Sequence, residues 1–571
     1  MGTSTTAGPT LLEGPAVVEP PGRDGPIFAG PPLDPRIVEL TGDTVVELLD
    51  RAVARTPGNV ALAIKRGSAH ERWTYRELGT RSRRMAATLL ARGVRPGDRV
   101  VTWGPNDPWL VAAMFAAWRV GAVVVPLDLR MMEDVVVRIA IRTEPVLVLA
   151  GDAQAEVATR AIGVPVLRLG PADLDPDELP GGAAADPPAL PAVTTAMLAE
   201  IVCTSGTTSD PKGVCLTHGQ LMHNARVIAQ TGMGNEPERV LAIVMFSHMY
   251  GQMVPLFLGL ITGSTLVFLQ TVTPAAMAET LRRERISALT TIPLLTRLLL
   301  DSIEAGAARR GQLGRFRRML RVAPLLPMPA RRWLFRAAHE ALGGSLSIIT
   351  SGGAFLPTDL QRAWEAMGVI VVQGYGGTEC AAISGHTRHS HRPGTAGRPL
   401  PGLEVRIAAD GEILVRGPSV MEGYWHAPDA TAEVLDADRW LHTGDAGRFD
   451  DHGELVILGR TRDRIALPNG LKVYPDDVEL ALRETRVVKE AVVFEPSSGR
   501  LAAVLLPAQP DVSDEVLAAA VKEANATLGV HQRIDAWRRW PDVDLPRTHT
   551  SKVRRDPVKA WYQEAAAGGR G

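Results

Sequence analysis

Two rhythms of hydrophobic and polar residues alternate along this chain. Arg99–Trp103 (RVVTW) and Ala122–Leu127 (AVVVPL) are short continuous apolar runs, the length of strands buried on both faces. Around them, Val45–Ala54, Thr74–Arg92 and Trp109–Trp118 place apolar residues at helical spacing. Strands alternating with helices predict a mostly parallel sheet covered on both sides. The pattern pauses over 171–196, a stretch rich in Pro, Ala, Gly and Asp that reads as an exposed connection. It then resumes towards residue 450, where Phe449–Ile457 predicts a hairpin turning at Gly453. Beyond 460 a smaller pattern follows: a helix at Val478–Arg483, strands at Ala491–Val493 and Leu501–Leu506, and a helix from Ser513 to Leu528. Ser513 is its N-cap, with Asp514 and Glu515 in the first turn. The expected organisation is a flexible Pro/Gly-rich leader over 1–40, a large α/β domain over 41–459 and a small α+β domain over 460–571.

Length and composition bound the class. A chain of 571 residues exceeds one hydrophobic core. Lys plus Arg number 62 against 63 Asp plus Glu, so no global basic excess draws nucleic acid or an anionic membrane. The three cysteines, Cys203, Cys215 and Cys380, form no CxxC pair and point to a reducing, cytoplasmic setting. No secretory leader is visible, and the apolar stretch Val254–Leu269 is broken by Gly and Thr and falls short of the roughly 20 residues a bilayer requires. It reads as a buried strand or helix. The composition leaves oligomeric state open.

Chemistry concentrates first at Thr204–Val214 (TSGTTSDPKGV). The strand-like run Glu200–Cys203 leads into it, and Thr217 and Gln220 after it have capping-box spacing for a helix start. A strand, a polar glycine-rich loop and a helix is a phosphate-binding arrangement. The order Lys212-Gly213 excludes a Walker A loop, which needs Gly-Lys-Ser/Thr. An ordinary Ser/Thr/Gly surface loop is the alternative for this stretch taken alone. Ser351-Gly352-Gly353-Ala354 follows the strand-like Leu346–Ile349, and Gln373–Glu379 (QGYGGTE) follows the strand-like Val369–Val372; beyond them stand Gly394–Gly402, Gly411–Trp425, Trp440–Asp445 (WLHTGD), Gly459–Glu479 and Leu545–Arg555 (LPRTHTSKVRR).

In this order, these segments resemble the AMP-forming adenylating enzymes, a superfamily of acyl-CoA synthetases, peptide-synthetase adenylation domains and luciferases. The resemblance covers about residues 45–560. It implies an α/β fold: a large N-terminal domain of stacked α/β subdomains plus a β-barrel-like subdomain, and a small mobile α+β C-terminal domain. It implies a phosphate loop at Thr204, Ser205, Gly206, Thr207, Thr208 and Lys212, with Gly352, Gly353 and Ala354 beside the adenine and the acyl carboxylate. Tyr375, between Gly374 and Gly376, matches the adenine-stacking position. Thr378 and Glu379 match the Thr-Glu pair whose Glu is the Mg²⁺ ligand. Asp445 and Arg460 match the ribose contacts, Arg462 the hinge and Lys552 the catalytic lysine. The implied reaction uses ATP, Mg²⁺ and a carboxylic acid, with coenzyme A or a carrier-protein phosphopantetheine as the thiol.

Phe246–Gly251 matches the segment that meets the acid. It lacks the Asp with which amino-acid-activating members pair an ammonium, so a hydrophobic acid is expected, closest to the medium- and long-chain acyl-CoA synthetases. His248, Met249 and Tyr250 then line the acyl pocket, with His248 on the carboxylate side or gating it, and Thr204, His248, Glu379 and Lys552 form the catalytic set. Three positions depart from the family pattern: Ser209, Ser551 and Gly377, the last expected to face the acyl pocket and widen it. An acyl carrier protein acting in trans is the alternative thiol, and an inactive scaffold the alternative class. His386, His389 and His391 lack the spacing of a closed zinc site.

Overall fold

Residues 16–18, 26–174, 189–204, 211–232, 237–467, 472–497, 500–547 and 553–568 are described by a computed structural model. Two large sheets dominate. The first has seven strands, with Val123–Pro126, Arg99–Trp103, Leu147–Ala150 and Val166–Arg168 running parallel. The apolar run Arg99–Trp103 sits inside this sheet, buried from Val100 onward, as its composition requires. The helix Pro108–Arg119 that covers it is buried along its entire length, wedged between this sheet and the second. The second sheet has nine strands, and its parallel core runs Ile370–Tyr375, Ile348–Ser351, Ala288–Thr291, Arg239–Ala242, Thr265–Phe268 and Val60–Arg66.

The α/β alternation ends at Tyr375. From Ser384 onward the chain makes antiparallel strands, including Glu404–Ile407, Glu412–Arg416, Leu441–Phe449 and Leu455–Arg460 of a six-stranded sheet. The hairpin at Gly453 forms as its sequence predicts, with φ +71° at the glycine. After residue 460, one core draws its buried residues only from Ile465 to Ile534, and another from Val492 to Tyr562. The helix Asp514–Thr527 begins at Ser513, whose side chain accepts from Val516 N.

Two expectations need correction. The leader is not structureless up to residue 40. Ile27–Ala29 pairs with Glu404–Arg406 on one side and with the edge strand Ala16–Val18 on the other in the six-stranded sheet, and Phe28 stacks on Phe449 with ring centroids 3.7 Å apart. Pro35–Thr41 is a helix whose Asp34 cap accepts from Arg36 N. The proline content that suggested disorder marks a helix start here, because Pro at N1 gives up no hydrogen bond. The second correction concerns the phosphate-type loop. Lys212–Thr217 is a strand antiparallel to Leu198–Thr204, with Lys212 opposite Thr204 and Thr217 opposite Leu198. The helix His218–Gln230 does start with the expected Thr217/Gln220 capping box, but at the far end of this hairpin from the loop. Its N-terminal dipole therefore serves the hairpin's base and not the loop.

The stretch Val254–Leu269 is buried in the protein. Gln252–Leu258 is a π-helix containing Pro255, followed by the helix Gly259–Thr262 and the strand Thr265–Phe268. Among the described residues, no helix is long and apolar enough to cross a membrane. At the head of the π-helix, Gln252 contacts Glu200, a fully buried carboxyl four residues before Thr204. The Gln252 amide nitrogen is already donated to Phe246 O at 2.8 Å. That leaves Gln252 Oε1 and both Glu200 oxygens as buried acceptors without a donor. A proton on Glu200 supplies the missing donor, and burial, partly offset by Gln252, pushes this carboxyl up to about 8. A pKa raised on folding adds stability that is complete below the unfolded-state value and is lost as pH rises through the folded one. Thermal unfolding should therefore show the chain losing stability between about pH 5 and about pH 9, and Glu200→Gln, neutral at every pH and still a donor, should flatten much of that loss. An identical pH dependence in the variant would contradict the protonated assignment.

Candidate active site

The ends of the parallel strands carry the chemistry. In open α/β sheets, ligands gather beyond the carboxyl ends of the strands. Gly352–Ala354 follows Ile348–Ser351, and Tyr375 ends the neighbouring strand in parallel register. Gly353 has φ +75°, a conformation glycine alone adopts without strain. Gly352 has a steric role: a Cβ there would lie 3.0 Å from the ring of Tyr250. Tyr250 donates to Thr291 O (3.3 Å) and Thr350 Oγ1 (3.2 Å), which fixes its ring against this glycine turn.

The segment Phe246–Gly251 is held from both sheets. Asn106, just beyond the strand Arg99–Trp103, accepts from Phe246 N (3.0 Å) and donates to Val244 O (2.8 Å). Asp128, two residues beyond Val123–Pro126, lies 2.8 Å from His248 Nε2. Arg130 donates to both Asp128 oxygens, from its backbone N (2.8 Å) and guanidinium (3.0 and 2.8 Å). Burial raises the Asp128 carboxyl, but the bonds from His248 and Arg130 outweigh it and hold the group well below the usual carboxylate range. Asp128 is thus an anion that fixes the imidazole with Nε2 as the donor. Met249 is buried beside His248.

A second group of side chains converges from the antiparallel strands. Tyr375 and Asp445 are 70 positions apart, and the Tyr375 hydroxyl donates to Asp445 Oδ2 at 2.7 Å. Burial and the Asp445 charge keep that phenol protonated. Arg460 Nε lies 3.0 Å from Asp445 Oδ1. Glu412 braces the turn behind Asp445, accepting from Gly444 N (2.8 Å) and pairing with His442 Nδ1 (2.8 Å). On the other side of Tyr375, Glu379 Oε1 accepts from the Tyr424 hydroxyl at 2.9 Å. Burial, then the Glu379 charge, holds the Tyr424 phenol in its donor form. The Lys212 ammonium sits 5.0 Å from the centre of the Tyr424 ring, and Tyr424 pairs with Val214 on the same hairpin. Thr204 Oγ1 donates to Lys212 O (3.3 Å), closing the hairpin's neck.

Gly377 stands close to the Glu379 carboxylate. The one heavy atom within 4 Å of a Cβ built there is Glu379 Oε2, at 3.3 Å. The missing side chain leaves room at the carboxylate. Gly376 is tightly enclosed, its Cβ position 1.8 Å from Ala381 O. Gly374 lies in the strand Ile370–Tyr375, paired with Gly385, and Thr378 in the turn that follows it. Arg462 lies in the short 3₁₀ turn Thr461–Asp463. Ser205, Gly206, Thr207, Thr208, Ser209, Ser551 and Lys552 lie outside the described residues. Near the last two, Arg547 and Val553 form an antiparallel bridge, and Arg555 is paired with Glu479 (2.6 Å) and Asp476 (3.0 Å). Of the three histidines, His386 bonds Thr395 and Gln373 N, and burial pushes it down to about 3; His391 meets Glu365 at 2.8 Å.

Sequence reasoning missed Asn106, Asp128, Arg130 and Glu412, and quoted Tyr424 without a role. A polar residue just past a fully apolar strand was the available signal for Asn106 and Asp128.

The comparisons with known proteins agree with this geometry. Residues 49–425 match the model of the AMP-binding enzyme family, and residues 462–567 match that of the AMP-binding enzyme C-terminal domain. Feruloyl-CoA synthase of Amycolatopsis sp is 31% identical, over 84% of this chain and 93% of its own. A 3-[(3aS,4S,7aS)-7a-methyl-1,5-dioxo-octahydro-1H-inden-4-yl]propanoyl:CoA ligase of Mycobacterium tuberculosis is 32% identical, over 90% of this chain and 98% of its own. O-succinylbenzoate coenzyme A synthetase of Bacillus subtilis, solved with AMP, superposes with a TM-score of 0.72 at 25% identity, covering 90% of this chain and 97% of that one. The chain belongs to the AMP-binding enzyme family and is an AMP-forming acid–CoA ligase that works through an acyl-adenylate.

Proposed function

We propose that this enzyme activates a hydrophobic carboxylic acid and transfers its acyl group to coenzyme A. The observation that carries this reading is the pinned segment Phe246–Gly251, which holds no acidic side chain, packs Tyr250 against Gly352 and has His248 bonded to Asp128. An acid without an ammonium group needs no carboxylate partner there. Relatives named for feruloyl-CoA, for an octahydroindenyl propanoyl-CoA and for long-chain fatty acids support the same class.

The mechanism assigns each group a task. Tyr375 offers its ring to adenine, and Asp445 with Arg460 meets the ribose, whose hydroxyls a carboxylate can accept from. The hairpin loop after Thr204 takes the outer phosphates, with Lys212 as a cation on their side. A Mg²⁺ ion fits Glu379: Oε1 is held by Tyr424, Oε2 is kept clear by Gly377, and one carboxylate completed by phosphate oxygens and water is how this hard cation binds. When bound, it would offset phosphate charge as the anionic acid attacks the α-phosphorus. Lys552 stabilises the same developing charge from the small domain, taken as 460–571 and hinged near Arg462. His248, oriented by Asp128, stands on the carboxylate side of the acid. Once pyrophosphate leaves, the thiol attacks the acyl carbon of the mixed anhydride, forming the thioester as the bond to the phosphate oxygen breaks and AMP leaves.

Pyrophosphate release over a panel of acids, with CoA or a phosphopantetheinylated carrier protein added and the thioester identified by mass, tests the reading: an α-amino acid preferred over every apolar acid would overturn it. Lys552→Ala should lower adenylation by about 100-fold or more, the scale for removing one preorganised charge stabiliser; unchanged adenylation would refute its role. Asp128→Asn should cost about tenfold in kcat/KM for the acid while leaving KM for ATP in place, as expected for one charge-assisted hydrogen bond. Gly377→Leu should depress adenylation equally for long and short acids and raise the Mg²⁺ requirement. A selective loss on long acids would return Gly377 to the acyl pocket.

A further inference from the structure

One stretch breaks the charge balance of this chain. Residues 305–339 contain nine arginines and no Asp or Glu, in a protein whose net charge is -1. The helix Leu313–Val322 carries much of it. Its inner face packs Phe316, Met319 and Leu320 into the core of the nine-stranded sheet. Its outer face shows Arg315, Arg318 and Val322 at three- and four-residue steps, and Leu325 continues the series on the following turn. Arg321 is exposed beside them.

Large apolar side chains stand among these charges. Leu325 is 84% exposed, Trp333 68% and Val322 50%. They lie within twelve residues of one another and are tied into one surface by Arg331, which donates to Leu326 O (2.7 Å) and Pro324 O (2.8 Å) across the turn. Arg336 lies 5.4 Å from the Trp333 ring centre. Arg317 is neutralised by Glu304 at 3.0 Å. Among the described residues, no carboxylate pairs with Arg309, Arg310, Arg315, Arg318, Arg321 or Arg336.

We infer that the surface formed by Arg315, Arg318, Arg321, Val322, Leu325 and Trp333 docks this enzyme on an anionic lipid bilayer. A leaflet of anionic headgroups supplies the charge these arginines lack, and its interfacial layer accepts a tryptophan and a leucine that water does not favour. Indole at the headgroup level and guanidinium at the phosphates is the ordinary interfacial division of labour. Nucleic acid matches the arginines but gives Leu325 and Val322 nothing to bury against. Docking is peripheral, and it does not depend on which acid the catalytic site takes.

Flotation of the full-length protein with phosphatidylcholine vesicles, with and without phosphatidylglycerol, tests this. The wild type should float with the anionic vesicles only, and release as salt shortens the Debye length. Arg315→Gln, Arg318→Gln and Arg321→Gln together should weaken partitioning by about a hundredfold, as three interfacial cations would. Leu325→Ser with Trp333→Ser should weaken it while leaving its salt dependence in place. All five positions are exposed, and the thermal midpoint of each variant checks that folding is intact. Equal flotation with neutral vesicles, no flotation of the wild type, triple-variant binding at the wild-type level, or arginine-dependent binding to duplex DNA without vesicle binding would each overturn the proposal.

Discussion

The clamp on Phe246–Gly251 is the constraint on which the site depends. This short segment leaves a strand of the nine-stranded sheet, yet its backbone and His248 are fixed by Asn106 and Asp128, which end strands of the seven-stranded sheet. Tyr250 ties the same segment back to Thr291 and Thr350 on its own sheet. Polar groups from two sheets therefore meet on one stretch of chain, and the crevice between the strand ends has a defined floor. The wholly buried helix Pro108–Arg119 sets the spacing of the two sheets, and so indirectly the distance between Asp128 and His248. A change of one methylene along that helix would reach the site through packing, since close-packed interiors transmit strain.

Electrostatic choices in the site follow a common logic of oriented carboxylates. Asp445 is held at one oxygen by Tyr375 and at the other by Arg460, and Glu379 is held at Oε1 while Oε2 is kept open. Each carboxylate is oriented by a protonated phenol, a donor that neither competes for charge nor titrates near neutrality. Such groups are ready acceptors whose direction is set before a ligand arrives, which is where preorganisation lowers a barrier. Asp128 is the exception. It is saturated by His248 and Arg130, and it acts by orienting the imidazole.

Much of this was legible in the sequence, and the failures have physical causes. The strands at Arg99–Trp103 and Ile348–Ser351, the Thr217 capping box and the Gly453 hairpin follow from local pattern, and the motifs singled out Tyr375 and Asp445, which the fold joins across 70 positions. Side-chain direction did not follow. At Gly377 a motif gives order along the chain, and only the turn shows that a Cβ there would meet Glu379. The loop after Thr204 was expected to run into a helix because the Thr217 cap is genuine, but six residues of strand intervene, and no local signal separates a strand after a loop from a loop leading to a helix. Asp128 stayed hidden because a lone Asp after a strand acquires meaning only from a histidine 120 positions away.

Charge shows the same gap between a sum and an arrangement. The totals of 62 basic and 63 acidic residues argue against binding to anionic surfaces only if the charges are mixed over the surface. Fields from exposed charges decay within about 8–10 Å at physiological salt, so a surface responds to the charges around it and not to the total. Around Glu284 the mixing is tight: His70, Arg72 and Arg239 all lie within 4 Å of its carboxylate. Over 305–339 the mixing fails, and the compensating acids sit elsewhere on the molecule. A nearly neutral protein can thus present a face of concentrated positive charge, and the arrangement of that face decides what it meets.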